Sequence, residues 1–224
     1  MIRGRLPINR EKIAQHVASL QNTVDYVWNP LYDYLTYAAA GQLQLNFFST
    51  PIGQGTTSHP GGAGAKTEAD TNLTNAGLLP KGNAFYCVGL EVDIFPTNLP
   101  AILGVPVAST FFNDLYAVSR SGWLNFRVQN RDIILDGPIG KFPSSTGLQG
   151  AVALADSTTA GAGQHTQISY ARLAGQVYEV QPVTIEANQA FSVTMKWPNV
   201  IATPSTATLR IGVRLLGNLI RRAQ

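Results

Sequence analysis

Cysteine is almost missing from this chain; Cys87 is the only one. A single thiol closes no internal disulfide, so the fold does not lean on an oxidising compartment. Histidine is scarce too. His16, His59 and His165 stand far apart, and no H-x-H, H-E-x-x-H or C-x-x-C pattern is present. A zinc or cupin-type metal centre therefore has no local support. There is no G-x-S-x-G elbow, and "GGAGAKT" at 61–67 lacks the strand and spacing of a phosphate-binding loop. Charge is thin: 13% of residues carry it, about half the usual share. No apolar run reaches the roughly 18 residues that span a membrane. The charged N-terminus lacks the apolar core of a secretory signal, so none is expected. These absences argue against an enzyme, and no cofactor or metal is expected.

What is present suits a large β domain. The 224 residues include 21 glycines and 13 prolines, enough for many turns, and 45% are hydrophobic, enough for a core. A surface with few charges desolvates cheaply and suits contact with other chains. The net charge of +3 is unevenly placed. Arg3, Arg5, Arg10 and Lys12 lie at one end, and Arg210, Arg214, Arg221 and Arg222 at the other. Basic termini suit nucleic acid or anionic lipid.

Residues 1–42 differ from the rest. Ile13, Val17, Leu20 and Val24 fall at helical spacing after a candidate cap, Asn9. An aromatic cluster follows: Tyr26, Trp28, Tyr32, Tyr34 and Tyr37. This segment is expected to be an arm that docks on a neighbouring subunit, since Tyr and Trp dominate interfaces. From residue 43 the period becomes two. Tyr86, Val88, Leu90, Val92 and Ile94 are expected on the apolar face of one strand, with Phe85, Cys87, Gly89, Glu91 and Asp93 opposite. The stretch 115–135 reads as two or three strands. Phe191, Val193, Met195 and Trp197 read inward on another strand, as do Leu209, Ile211, Val213 and Leu215 on the last. Eight or nine strands result. Two long loops rich in Gly, Ser, Thr and Ala, 49–77 and 138–167, separate them. "LPKGNAF" at 79–85 and "IEANQAF" at 185–191 echo each other, each a turn feeding a strand.

Few residues invite chemistry. Cys87 lies among apolar neighbours, where a cysteine is usually an inert small hydrophobe. Glu91 and Asp93 share a strand face and could ligate calcium. The simpler reading is that they mark where the strand leaves the core, or meet an arginine such as Arg127 or Arg210 of another subunit.

In order, the aromatic arm, "LPKGNAFYCVGLEV", "SGWLNFRVQNRDIIL", "IEANQAFSVTMKW" and "LRIGVRLLGNLIRR" resemble the jelly-roll major capsid proteins of small tailless icosahedral bacterial viruses. The likeness covers roughly residues 25–222 as a pattern of strand starts. It implies an icosahedral shell that self-assembles around a genome, sometimes over an internal membrane, with no catalysis. The expected fold is a single eight-stranded jelly-roll β-sandwich at 43–224 behind an N-terminal helical arm at 1–42. The alternative is a compact double jelly roll. The expected location is the virion. The expected partners are copies of itself, other virion proteins, and genome or lipid at Arg3, Arg5, Arg10, Lys12, Arg221 and Arg222. The competing function is a carbohydrate- or receptor-binding module with Trp123 and Trp197 as a platform.

Overall fold

The computed structural model describes residues 24–59, 62–96, 108–129, 134–142, 149–155, 165–171 and 177–222. The expected helix near residues 9–24 and the basic residues Arg3, Arg5, Arg10 and Lys12 lie outside them, apart from Val24, which is in a strand.

The architecture is an all-β sandwich of two antiparallel sheets. Sheet A contains β1 (Val24–Trp28), β2 (Leu31–Tyr37), β4 (Asn83–Pro96), β9 (Tyr178–Glu186) and β11 (Leu209–Arg222). Its order is β1-β11-β4-β9, with β2 also on β11. Sheet B contains β3 (Gln44–Phe47), β5 (Trp123–Val128), β6 (Leu135–Pro138) and β10 (Phe191–Lys196), in the order β3-β10-β5-β6. A separate hairpin pairs β7 (Gln149–Ala155) with β8 (His165–Ala171). Among the described residues one α-helix, α1 (Ala108–Ser121), lies between β4 and β5.

β1 and β2 are two halves of one edge strand. Trp28 pairs with Asn218 and Leu31 with Leu215, so the register on β11 is unbroken across Asn29-Pro30. Pro30 has no N–H to give, and an edge tolerates that. Residues 24–37 thus belong to the sandwich, and the boundary expected at residue 42 falls inside the domain.

The inner faces of both sheets form the core. β10 and β11 alternate as their sequences predict: Phe191, Val193, Met195 and Trp197 are buried, as are Leu209, Ile211, Val213 and Leu215. β4 does not. Gly89 pairs with Leu216 and Cys87 with Gly217, which leaves Val88 unpaired as a bulge. One extra residue reverses the faces. Phe85 and Cys87 on one side of it, and Leu90, Val92 and Ile94 on the other, all point into the core. The irregularity crosses the sheet. Three β9 residues, 180–182, oppose Val88, and one of them is Pro182. Gly217 lets the strands close up there, since a Cβ would lie 2.0 Å from the Tyr86 carbonyl oxygen.

Two further expectations are corrected. Residues 115–121 are helical, and Leu115 and Val118, three apart, pack on the core. Gly122 ends α1 where a Cβ would strike Ile139 and Trp197. Segment 138–167 is not all loop; it holds a 3-10 turn at Ile139–Lys141 and β7. The echo is local turn chemistry. Asn83 N–H donates to Pro80 C=O (3.0 Å) and Gln189 N–H to Glu186 C=O (2.9 Å). Each turn delivers a buried phenylalanine two residues later, Phe85 or Phe191. These two strands lie in opposite sheets, not side by side.

Gly217→Ala is expected to cost ~2 kcal/mol or more, because the clash is with backbone. Gly53→Ala should cost about 1 kcal/mol, from its φ of +80° alone, since nothing lies near its Cβ position. Urea unfolding of both variants checks the ranking.

Candidate functional site

The densest polar cluster lies where the 49–77 loop meets the β2 edge. The loop first pairs with itself: Ile52 N–H donates to Leu73 C=O (3.0 Å), Gly53 to Lys66 (2.8 Å) and Lys66 to Gln54 (3.1 Å). It then pairs with β2. Tyr34 N–H donates to Asp70 C=O at 2.7 Å, Tyr32 N–H to Asn72 Oδ1 at 3.1 Å, and the Thr71 hydroxyl to Tyr32 C=O at 3.0 Å. An open strand edge is a template for unwanted pairing. Here the chain closes it with its own loop.

Covering the edge buries charge. Asp33 points inward from β2, fully buried. Its Oδ1 meets Lys66 Nζ at 2.5 Å, and its Oδ2 accepts the Phe48 N–H at 2.6 Å. Burial raises the Asp33 pKa; the Lys66 charge and the hydrogen bonds work against that rise. Asp70, also buried, holds the loop together. It accepts from the Thr57 hydroxyl (2.7 Å), from the Ser58 N–H (2.8 Å) and hydroxyl (2.7 Å), and from the Thr67 N–H (3.1 Å). Burial opposes its ionisation, but these hydrogen bonds outweigh it and hold the carboxyl well below the usual range.

The outer face of sheet A continues the network. Arg210 lies 4.1 Å over the Tyr34 ring, donates to the Ser58 hydroxyl, and sits 3.6 Å from Asp70. Tyr34 occupies the space above Gly212, where a Cβ would be 2.1 Å from its ring. Its hydroxyl donates to Asp93 at 3.1 Å. Burial and then the Asp93 charge push the Tyr34 pKa up to about 12. Arg214 bridges Glu91 (3.0 Å) and Asp93 (3.1 Å).

The expected sites redistribute accordingly. Glu91 and Asp93 do not mark an exit from the core. They are buried, and their arginine is Arg214 of the same chain, not Arg127 or Arg210. Cys87 is buried and its thiol is pushed up to about 12 by that burial, so it is no nucleophile. Among the described residues no group of three His, Cys, Asp or Glu could hold a metal ion. Of the aromatic cluster, Tyr37 faces the core and donates to Ile201 C=O at 2.6 Å. Tyr32 and Tyr34 bond within the loop and sheet network, Tyr26 is partly covered, and Trp28 is half exposed. Arg221 lies 3.6 Å from Asp25, both about half exposed, and Arg222 pairs with Val24. Trp197 is buried with its N–H on Val118 C=O, so the two-tryptophan platform reduces to Trp123.

Sequence reading missed Asp33, Lys66 and Asp70. One signal was available. Asp33 interrupts the inward set Leu31, Leu35 and Tyr37, and a charge at such a position needs a buried partner.

No family model matches the chain, and no curated protein or solved structure matches it.

Arg214→Met should destabilise by about 3 kcal/mol, because two buried carboxylates lose their counter-charge. Adding Glu91→Gln and Asp93→Asn should restore part of that loss; urea titration of the set tests the coupling. Asp70 makes an acid-side prediction. Its pKa is lower folded than unfolded, so its contribution is complete above about pH 4 and fades as pH falls below that. Asp70→Asn should flatten this limb of the stability profile; parallel profiles for variant and wild type would contradict the assignment.

Proposed function

We propose that this chain is a structural capsid protein that self-assembles into an icosahedral shell of a bacterial virus. One observation carries the reading: the order of strands in the two sheets. Counting β1 and β2 once, the described strands of the sandwich occupy eight lanes. In chain order, the first, eighth, third and sixth lanes form sheet A, and the second, seventh, fourth and fifth form sheet B. A long hairpin rolled onto itself gives this order, and the arrangement supports a single eight-stranded jelly roll over a compact double one.

Two features fit a shell tile. Arg210 and Arg214 on the sheet A face are paired with carboxylates of the same chain, so assembly need not strip water from these ions. Large apolar side chains stay exposed at separate places, including Trp28 on β1, Tyr116 on α1, Leu43 before β3 and Val200 after β10. Such sites suit several contacts with neighbouring copies. Arg210 and Arg214 are engaged inside the chain, so contact with genome or lipid falls to Arg3, Arg5, Arg10, Lys12, Arg221 and Arg222.

A second reading rests on Trp123. Its half-exposed ring donates its N–H to Asp136, which also accepts from Asn125 on the same sheet face. That trio would suit a sugar in a carbohydrate- or receptor-binding module.

Negative-stain imaging and size-exclusion of the purified full chain separate the two. Closed particles of uniform diameter are expected. A small discrete species that binds glycans, and loses them on Trp123→Ala, would replace the shell reading with the second. Removing residues 1–23, which precede β1, should leave the β circular-dichroism signature intact and reduce correct assembly. Normal particles from that truncation would exclude an assembly role for the segment.

A further inference from the structure

Lys66 and Asp33 are unusual partners. Their side chains are 1% and 0% exposed, and Nζ is 2.5 Å from Oδ1. An ammonium carries three donors. Among the described residues, the acceptor this amine contacts is the Asp33 carboxylate. Both groups lie where water does not reach, and their contact is a path along which a proton can pass. Moving one proton from Lys66 to Asp33 discharges both, leaving an amine against a carboxylic acid with water excluded.

The other carboxyl oxygen is also held. Asp33 Oδ2 accepts the Phe48 N–H at 2.6 Å. Phe48 adopts a φ of 65°, a left-handed conformation that a bulky side chain rarely takes. Its fully buried ring packs 5.3 Å from that of Phe191, so the surroundings hold this backbone in place. Strain of this kind concentrates at functional positions. The N–H points at the oxygen that would carry negative charge if the amine added to the carboxyl carbon.

We propose that Lys66 and Asp33 join in an intramolecular isopeptide bond. Neutral Nζ attacks the Asp33 carboxyl carbon, and Phe48 N–H steadies the charge on Oδ2. Oδ1 leaves as water, taking the proton already transferred and one from the amine. One C–N bond forms, one C–O bond breaks and one water departs. No oxidant, reductant or cofactor takes part. The product ties the 49–77 loop covalently to the β2 edge. The inference is independent of the shell reading and concerns the single chain.

Intact-mass spectrometry of the full chain under denaturing conditions tests it. Wild type is expected one water lighter than its sequence mass, and Lys66→Arg at its full sequence mass. Tandem spectra of a digest should contain one branched peptide carrying both Asp33 and Lys66. Wild type at full mass, with the two residues in separate linear peptides, would overturn the proposal. Because the measurement is made on unfolded protein, it reads equally well for a variant that folds poorly.

Discussion

An edge strand leaves a row of backbone N–H and C=O groups without partners, and one side of this sandwich is organised by how β2 meets that constraint. The 49–77 loop supplies the missing partners from Asp70, Thr71 and Asn72. To lie there it brings Lys66 and Asp70 into positions that water does not reach. Each buried charge then needs an opposite charge or a set of donors. Asp33 answers Lys66; the Thr57, Ser58 and Thr67 donors, with Arg210 nearby, answer Asp70. Arg214, one helical-wheel-free step of four residues further along β11, serves Glu91 and Asp93 in the same way. Two of the four charges that look like a basic C-terminal cluster in sequence, Arg210 and Arg214, are thus internal fittings.

The legible parts of the fold were those with an unbroken period. β10 and the first half of β11 alternate without interruption, and their buried faces follow directly from Phe191 to Trp197 and from Leu209 to Leu215. β4 was legible as a strand but not in its facing, because Val88 adds a residue that only the partner strands reveal. α1 was obscured for another reason. Its C-terminal part runs straight into β5 with a single glycine between, so the change of period leaves too short a window to see. The charge network was least legible. Asp33 and Lys66 are far apart in sequence, and nothing local to "GGAGAKT" foretells that its lysine is buried.

The two long segments rich in Gly, Ser, Thr and Ala are physically different. The 49–77 loop has its own backbone pairing and a carboxylate at its centre. The 138–167 segment instead contributes Ile139 and Phe142 to the core and half of a separate hairpin. On the proposed reading, the first stiffens a tile before assembly. A rigid partner loses less conformational freedom on association, and weak contacts then suffice.

The bulge at Val88 has a bearing on how such a sequence can change over time. It works as a parity switch: every residue beyond it faces opposite to where simple alternation would put it. Drawing Val88 into the ladder as an ordinary paired residue would turn Glu91 and Asp93 toward the core and Leu90, Val92 and Ile94 toward Arg214, with every amino acid unchanged. Natural variation should therefore accept a one-residue gap at Val88 itself, which leaves Cys87 and Gly89 on the adjacent Gly217 and Leu216, more readily than a gap between Leu90 and Ile94.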